Sequence, residues 1–257
     1  MATDNDNFVE IETRAGVAYL TLNRPPLNVL NILFLKQLEI GIKDLSQNRD
    51  VRTLLLQAKG KLFSAGVDVV DHTEEKVGDM IPLFDNVCRA LADFPVPTIA
   101  VVQGHALGGG CELVICCDFA VMAAGAKIGQ PEIQLAALAP IAALRLPYLI
   151  GYRATADMLL TGRSLSAEKA LETGLINAVV GPDEVQKWAE EKAAELISLS
   201  RAALMLNKRA MGFGYEYWAR NLPEMENLYL HELMSTADAN EGLEAFMDKR
   251  PPVWKHE

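Results

Sequence analysis

The sequence predicts an α/β fold built from repeated strand–strand–helix (ββα) units and closed by a helical C-terminal region. Three observations carry that prediction. The apolar runs Thr53–Ala58 and Thr98–Val102 have strand length, and each leads into a glycine-containing turn, FSAG at 63–66 and GHALGGG at 104–110. Each turn is followed by a stretch that reads as a helix. From Arg201 onward the pattern is helical, with breaks expected near 212–214 and at Pro223. A Rossmann or P-loop reading fails, because no GxGxxG follows a strand and GRS at 162–164 lacks the phosphate-loop lysine and spacing.

Taken in order, a polar start precedes Val17–Leu22, which alternates and contains Tyr19 and Thr21, as a strand does; Pro25-Pro26 ends it. Asn31 is placed to cap a helix whose apolar residues Leu35, Leu38, Ile42 and Leu45 recur at spacings of three and four. Residues 71–79 are polar and read as a mobile loop over the site, and 81–94 as a helix stopped by Pro95 and Pro97. Thr98–Val102 and Phe119–Ala123 read as buried strands on either side of the central glycine turn, and 128–132 turns away from the second. Residues 136–150 are rich in Ala, Leu and Ile, and Pro140 and Pro147 are expected to break them. Pro182-Asp183 starts an amphipathic helix with Val185, Trp188, Lys192, Leu196 and Leu199 along one side. Trp218, Tyr229 and Phe246 are aromatic residues of the last region.

Composition limits the function classes. At 257 residues and 50% hydrophobic content the chain can bury a sizeable core. A formal charge of −10 opposes nucleic-acid binding. No apolar run reaches the roughly 20 residues that cross a bilayer, and the start MATDNDNFVE is acidic, so a cytoplasmic protein is expected. Cys88, Cys111, Cys116 and Cys117 have no CxxC or paired-histidine spacing, and His231-Glu232 lacks the second histidine of a zinc motif, so no metal site is expected.

The chemistry concentrates in GHALGGGCELVICCD (104–118) and GQPE (129–132). Glycines let a backbone approach a ligand closely, and the unpaired N–H groups at a helix start can hold negative charge on a bound oxygen. Glu112, two residues after the last of the three glycines, is then a candidate base. The alternative is a tight turn in which Glu112 only favours the helix N-terminus. Glu132 stands in a proline-marked turn behind a second glycine.

The blocks AGVD (65–68), GHALGGGCE (104–112) and GQPE, in this order, resemble those of the crotonase (enoyl-CoA hydratase/isomerase) superfamily, as do LNRPPLNVL (22–30) and EGLEAFMDKRPPVW (241–254). The resemblance covers nearly the whole chain. It implies a crotonase (ClpP-like) fold of ββα units wound in a spiral, with the CoA-thioester site in residues 1–200 and a helical trimerisation region at 201–257, in which Trp218, Tyr229 and Phe246 suit an interface as readily as a core, assembled as a trimer or a dimer of trimers. It implies an acyl-CoA thioester as substrate and no separate cofactor, since CoA is part of the substrate. The implied oxyanion donors are the N–H groups of Ala65 and Gly109, and the implied catalytic acids are Glu112, which activates water, and Glu132, which delivers the carbon-bound proton. Arg24, Leu27, Ala65, Gly66, Val67, Asp68, Gly108 and Gly109 are the implied substrate contacts. Lys59 and Lys61 join Arg24 as candidates for the CoA phosphates.

One departure narrows the substrate. After GQPE the ordinary hydratases carry a glycine-rich segment, whereas this chain has QLAALAPIAALRLPYLIG (134–151), so the acyl pocket is expected to be stiffer and more apolar. With RPPLNVLN and FSAGVDVVDHT, this segment most resembles the branch that hydrates cyclohexa-1,5-diene-1-carbonyl-CoA to 6-hydroxycyclohex-1-ene-1-carbonyl-CoA in anaerobic aromatic degradation. A linear 2-enoyl-CoA hydratase or enoyl-CoA isomerase is the alternative, and a non-catalytic CoA- or RNA-binding relative ranks last. His72 reads as an exposed loop histidine.

Overall fold

The computed structural model describes residues 7–212 and 216–255. Nine strands and ten α-helices follow in order among them: β1 (Val9–Arg14), β2 (Val17–Leu22), α1 (Ile32–Gln47), β3 (Thr53–Ala58), α2 (Glu74–Ala92), β4 (Thr98–Val102), β5 (Ala106–Leu107), α3 (Gly109–Ile115), β6 (Phe119–Ala123), β7 (Lys127–Gly129), α4 (Pro140–Ile150), α5 (Tyr152–Thr161), β8 (Ser164–Ser166), α6 (Ala167–Glu172), β9 (Ala178–Val180), α7 (Val185–Ile197), α8 (Arg201–Gly212), α9 (Glu216–Asn227) and α10 (Ala237–Met247).

Two sheets explain the ββα rhythm. The larger runs β1-β2-β3-β4-β6-β9 and the smaller β5-β7-β8. In β4–β5–α3 and β6–β7–α4 the first strand joins the large sheet, the second joins the small one, and a helix returns. The β3–α2 unit follows the same path with its second strand reduced to one bridge, Ser64 to Ala106. Apart from the antiparallel β1–β2 pair, the large sheet is parallel. Parallel strands covered on both faces read as apolar runs, and β2 and β4 are buried at every residue.

Asn31 caps α1 as expected, its Oδ1 accepting from the Phe34 N–H at 2.9 Å, and Leu35, Leu38, Ile42 and Leu45 are all buried. The structure differs from the sequence reading in four helices. The segment 71–79 is not a loop: a 3-10 turn, Val69–His72, leads into α2, which starts at Glu74 and runs through Pro82. Buried Asp71 fixes this turn, Oδ2 accepting from the Ile32 N–H (3.0 Å) and Oδ1 from Lys76 Nζ (2.9 Å). Pro140 opens α4 at its first turn, where a missing N–H costs nothing, and Pro147 lies within the helix instead of breaking it. Pro223 likewise lies inside α9, while the break expected at 212–214 falls partly on 213–215, outside the described residues. The start of α7 is as expected, but its buried face is Val185, Ala189, Ala193 and Leu196, and Leu199 lies beyond its end and is exposed.

Asp85 on α2 is 2% exposed, and neither carboxyl oxygen has a hydrogen-bond partner. Burial, followed by the charge of Glu112, pushes its pKa to about 8. An acid that holds its proton more tightly folded than unfolded lowers stability as pH rises, starting above its ordinary value of 3.8 and ending near 8. Asp85→Asn is therefore expected to flatten the fall in unfolding free energy between about pH 5 and about pH 7 by up to ~1.4 kcal/mol per pH unit. Urea denaturation across that range checks this, and equal slopes in both proteins would contradict it.

Candidate active site

Each of the three successive glycines makes a close approach that a side chain would block. Gly108 has φ +54°, and a Cβ there would fall on Glu132 Oε1. A Cβ on Gly109 would meet Val67 Cγ2 at 2.8 Å and Phe84 Cζ at 3.1 Å, and one on Gly110 would meet Ser64 Cβ at 2.7 Å. The glycines thus bring the N-terminus of α3 against the turn after β3 and against Glu132 at once.

That turn is held from behind by Asn28, which is fully buried. Its amide donates to the carbonyls of Lys59 (2.8 Å) and Leu62 (2.9 Å), and its Oδ1 accepts from the Arg24 N–H (2.8 Å). Ser64 adds Oγ to Asn28 O at 2.8 Å and accepts from the Gly66 N–H at 3.0 Å.

The backbone donors differ from expectation at one position. The Ala65 N–H is not free; it donates to the Leu27 carbonyl at 2.9 Å. Val67 instead forms a parallel bridge with Leu30, in which the Leu30 N–H donates to Gly66 O and the Asp68 N–H to Leu30 O. Alternation along the chain then turns the Val67 N–H away from Leu30. The N–H groups of Val67 and Gly109, on neighbouring backbones, have no hydrogen-bond partner among the described residues.

Beside them lies a cavity of about 260 Å³ that both acids line. Its apolar wall includes Met80, Ile81 and Phe84 of α2, and Leu135, Leu138 and Pro140 of the glycine-free segment. Glu112 is 3% exposed, and its Oε1 accepts from the Ala142 N–H at 3.0 Å, so the first turn of α4 holds the carboxyl. Burial pushes its pKa to about 7, while the backbone donors Ala142 and Ile141 pull the other way. Glu132 opens a 3-10 turn, Glu132–Leu135, and is raised to about 8 by burial first and by the charge of Glu112 second. Gln130, buried and not singled out by sequence, donates its amide to Glu132 Oε1 (3.2 Å) and Oε2 (3.0 Å) in the amide orientation that satisfies both groups. This contact favours the ionised form and opposes the upward shift.

Of the expected site residues, the cavity brings together Ala65, Gly66, Val67, Gly108, Gly109, Glu112 and Glu132. Arg24, Leu27 and Asp68 do not line it; they brace its Val67 side. Arg24 Nη1 donates to Val29 O (2.7 Å) and lies 3.7 Å from Asp68 Oδ2, and Leu27 supplies the carbonyl that takes up the Ala65 N–H. Lys59 pairs with Glu10 at 2.6 Å. His72, read as exposed, is half-buried and lines the cavity; its Nδ1 lies 3.0 Å from Asp68 O, and burial lowers its pKa. The C-terminal region closes the same cavity with Tyr229, Leu243 and Phe246. Tyr229 and Trp218 are buried, and Phe246 is half exposed.

No helix among the described residues is long and apolar enough to cross a membrane. The Enoyl-CoA hydratase/isomerase family pattern matches residues 12–257. A probable enoyl-CoA hydratase of Rhizobium meliloti is 34% identical over 253 residues, covering 96% of this chain and 97% of that protein. A cyclohexa-1,5-dienecarbonyl-CoA hydratase of Thauera aromatica is 32% identical over 251 residues, covering 96% of both. A short-chain-enoyl-CoA hydratase of Clostridium acetobutylicum is 33% identical, covering 95% of this chain and 96% of that protein. The crystal structure of an enoyl-CoA hydratase/isomerase from Pseudoalteromonas atlantica superimposes with a TM-score of 0.87 at 27% identity, covering 96% of this chain and 100% of that one. With its α/β fold of paired sheets and nearly its full length matched, the chain has the crotonase fold and is an enzyme of the enoyl-CoA hydratase/isomerase family.

Proposed function

We propose that the protein adds water across the conjugated double bond of an enoyl- or dienoyl-CoA thioester. The observation that carries this reading is one largely apolar cavity in which two carboxyls with raised pKa values lie beside two unpaired backbone N–H groups. The N–H groups of Val67 and Gly109 hold the thioester oxygen as it becomes enolate-like; losing one such donor typically costs about 100- to 1000-fold in rate. Glu112, ionised, takes a proton from water as the oxygen bonds to the β-carbon. Glu132, protonated, gives its proton to the α-carbon of a linear enoyl thioester, or to the γ-carbon of the ring diene, whose product keeps a double bond at its α-carbon, and the pair ends with its protons exchanged.

Both pKa values are raised and the charges interact, so the pair holds about one proton near neutral pH. Hydration is expected to follow a bell-shaped pH profile. It falls below about 7 as Glu112 gains a proton, and above about 8 as Glu132 loses one. A rate flat from about pH 5 to about pH 9 would contradict the paired roles.

The ring dienoyl thioester is the finer reading, supported by the apolar wall that Leu135, Leu138 and Pro140 supply without an intervening glycine. The relatives bear both ring and linear names at nearly equal identity. Hydration of crotonyl-CoA and cyclohexa-1,5-diene-1-carbonyl-CoA, compared side by side, tests it: turnover of the ring diene alone supports the finer reading, and preference for the linear thioester returns the protein to the linear hydratases. Exposed Leu206, Met211 and Tyr217 on the C-terminal helices support self-association as a trimer or dimer of trimers, which light scattering measures against the 28.1 kDa chain.

A further inference from the structure

Tyr229 is 1% exposed, yet its hydroxyl has no hydrogen-bond partner among the described residues. Buried tyrosine hydroxyls usually find one. The oxygen is not sealed in the interior as those of Asp85 are; Tyr229 lines the cavity that holds Glu112 and Glu132, and the charges of both acids act on its hydroxyl. The residue is presented by Leu228–Glu232, a π-helical turn that follows α9. Such turns are rare and frequently mark functional sites. The rest of the wall around it is mostly apolar, with Phe84, Leu138 and Leu243 among its neighbours in the cavity. The ring of His72 in the same cavity is within hydrogen-bond distance of Asp68 O through Nδ1.

We propose that the Tyr229 hydroxyl binds the water that adds to the double bond, and then the hydroxyl of the product. This assignment rests on the hydratase reading. The water gives one proton to Glu112 and its oxygen bonds to the β-carbon; its second hydrogen stays on that oxygen and is accepted by Tyr229 throughout. Tyr229 keeps its own proton. Burial and the charges of Glu132 and Glu112 raise its pKa, so the phenol stays neutral and can act as both donor and acceptor.

The test is Tyr229→Phe, which removes only the hydroxyl. The melting temperature is expected to stay at the wild-type value, because the hydroxyl has no protein partner to lose. In the hydration direction kcat is expected to fall about 10-fold, the value of one hydrogen bond, with KM for the enoyl thioester unchanged. In the dehydration direction KM for the hydroxyacyl thioester is expected to rise, because that ligand alone carries the hydroxyl. A buried packing role would leave both kinetic terms unmoved. Wild-type kinetics in both directions for Tyr229→Phe would overturn the assignment while leaving the hydratase reading intact, whereas a wild-type protein that hydrates no enoyl thioester overturns both.

Discussion

Glu112→Gln is expected to lower hydration of an enoyl thioester by about 100- to 10,000-fold, the range for loss of a positioned general base. The fold should survive this change. The Gln carbonyl oxygen can still accept from the Ala142 N–H, so the contact between α3 and α4 is kept, and a buried ionisable group is removed. What is lost is the ability to take a proton from water. Steady-state turnover and a thermal melt of the same sample check both halves; a variant within about 3-fold of wild type would exclude Glu112 as the base, since general-base loss costs far more.

Gly108→Ala is expected to cost nearly as much without removing a carboxyl. Gly108 holds φ +54°, where a side chain is strained, and its Cβ would occupy the place of Glu132 Oε1. The Glu132 carboxyl must therefore move, and loss of its positioned proton transfer is worth about 100-fold or more. Because both changes act on one group, Gly108→Ala combined with Glu132→Gln should be little slower than either alone. Full activity in Gly108→Ala would mean that Glu132 works from another position.

The elements legible in the sequence were those whose local pattern matches their burial. Four buried strands, Val17–Leu22, Thr53–Ala58, Thr98–Val102 and Phe119–Ala123, stand out as apolar runs bounded by turn residues. The edge strand Val9–Arg14 was missed because most of its side chains face solvent and no apolar run marks it. Pro147 and Pro223 look like helix breaks but lie inside α4 and α9, where tertiary packing overrides the local signal.

The site was legible where chemistry depends on side-chain type. Glu112 and Glu132 both line the cavity, and the three glycines ahead of Glu112 are required by close approach. It was not legible where chemistry depends on which backbone N–H is already paired. Ala65 and Val67 are two residues apart on one turn, and only the Leu27 carbonyl and the Leu30 bridge decide which donor is left open. Tyr229 and His72 were equally hidden, since their place in the cavity is set by packing across more than a hundred residues and by a 3-10 turn that reads locally as loop.

The most direct test of the central claim is to incubate a 2-enoyl-CoA thioester with the protein in heavy-oxygen water and follow the acyl group by mass spectrometry. The expected result is a hydroxyacyl thioester carrying one heavy oxygen, formed rapidly by the wild type and barely by Glu112→Gln. A shifted double bond with no oxygen gained would contradict hydration and make the two carboxyls a proton-moving pair of an isomerase.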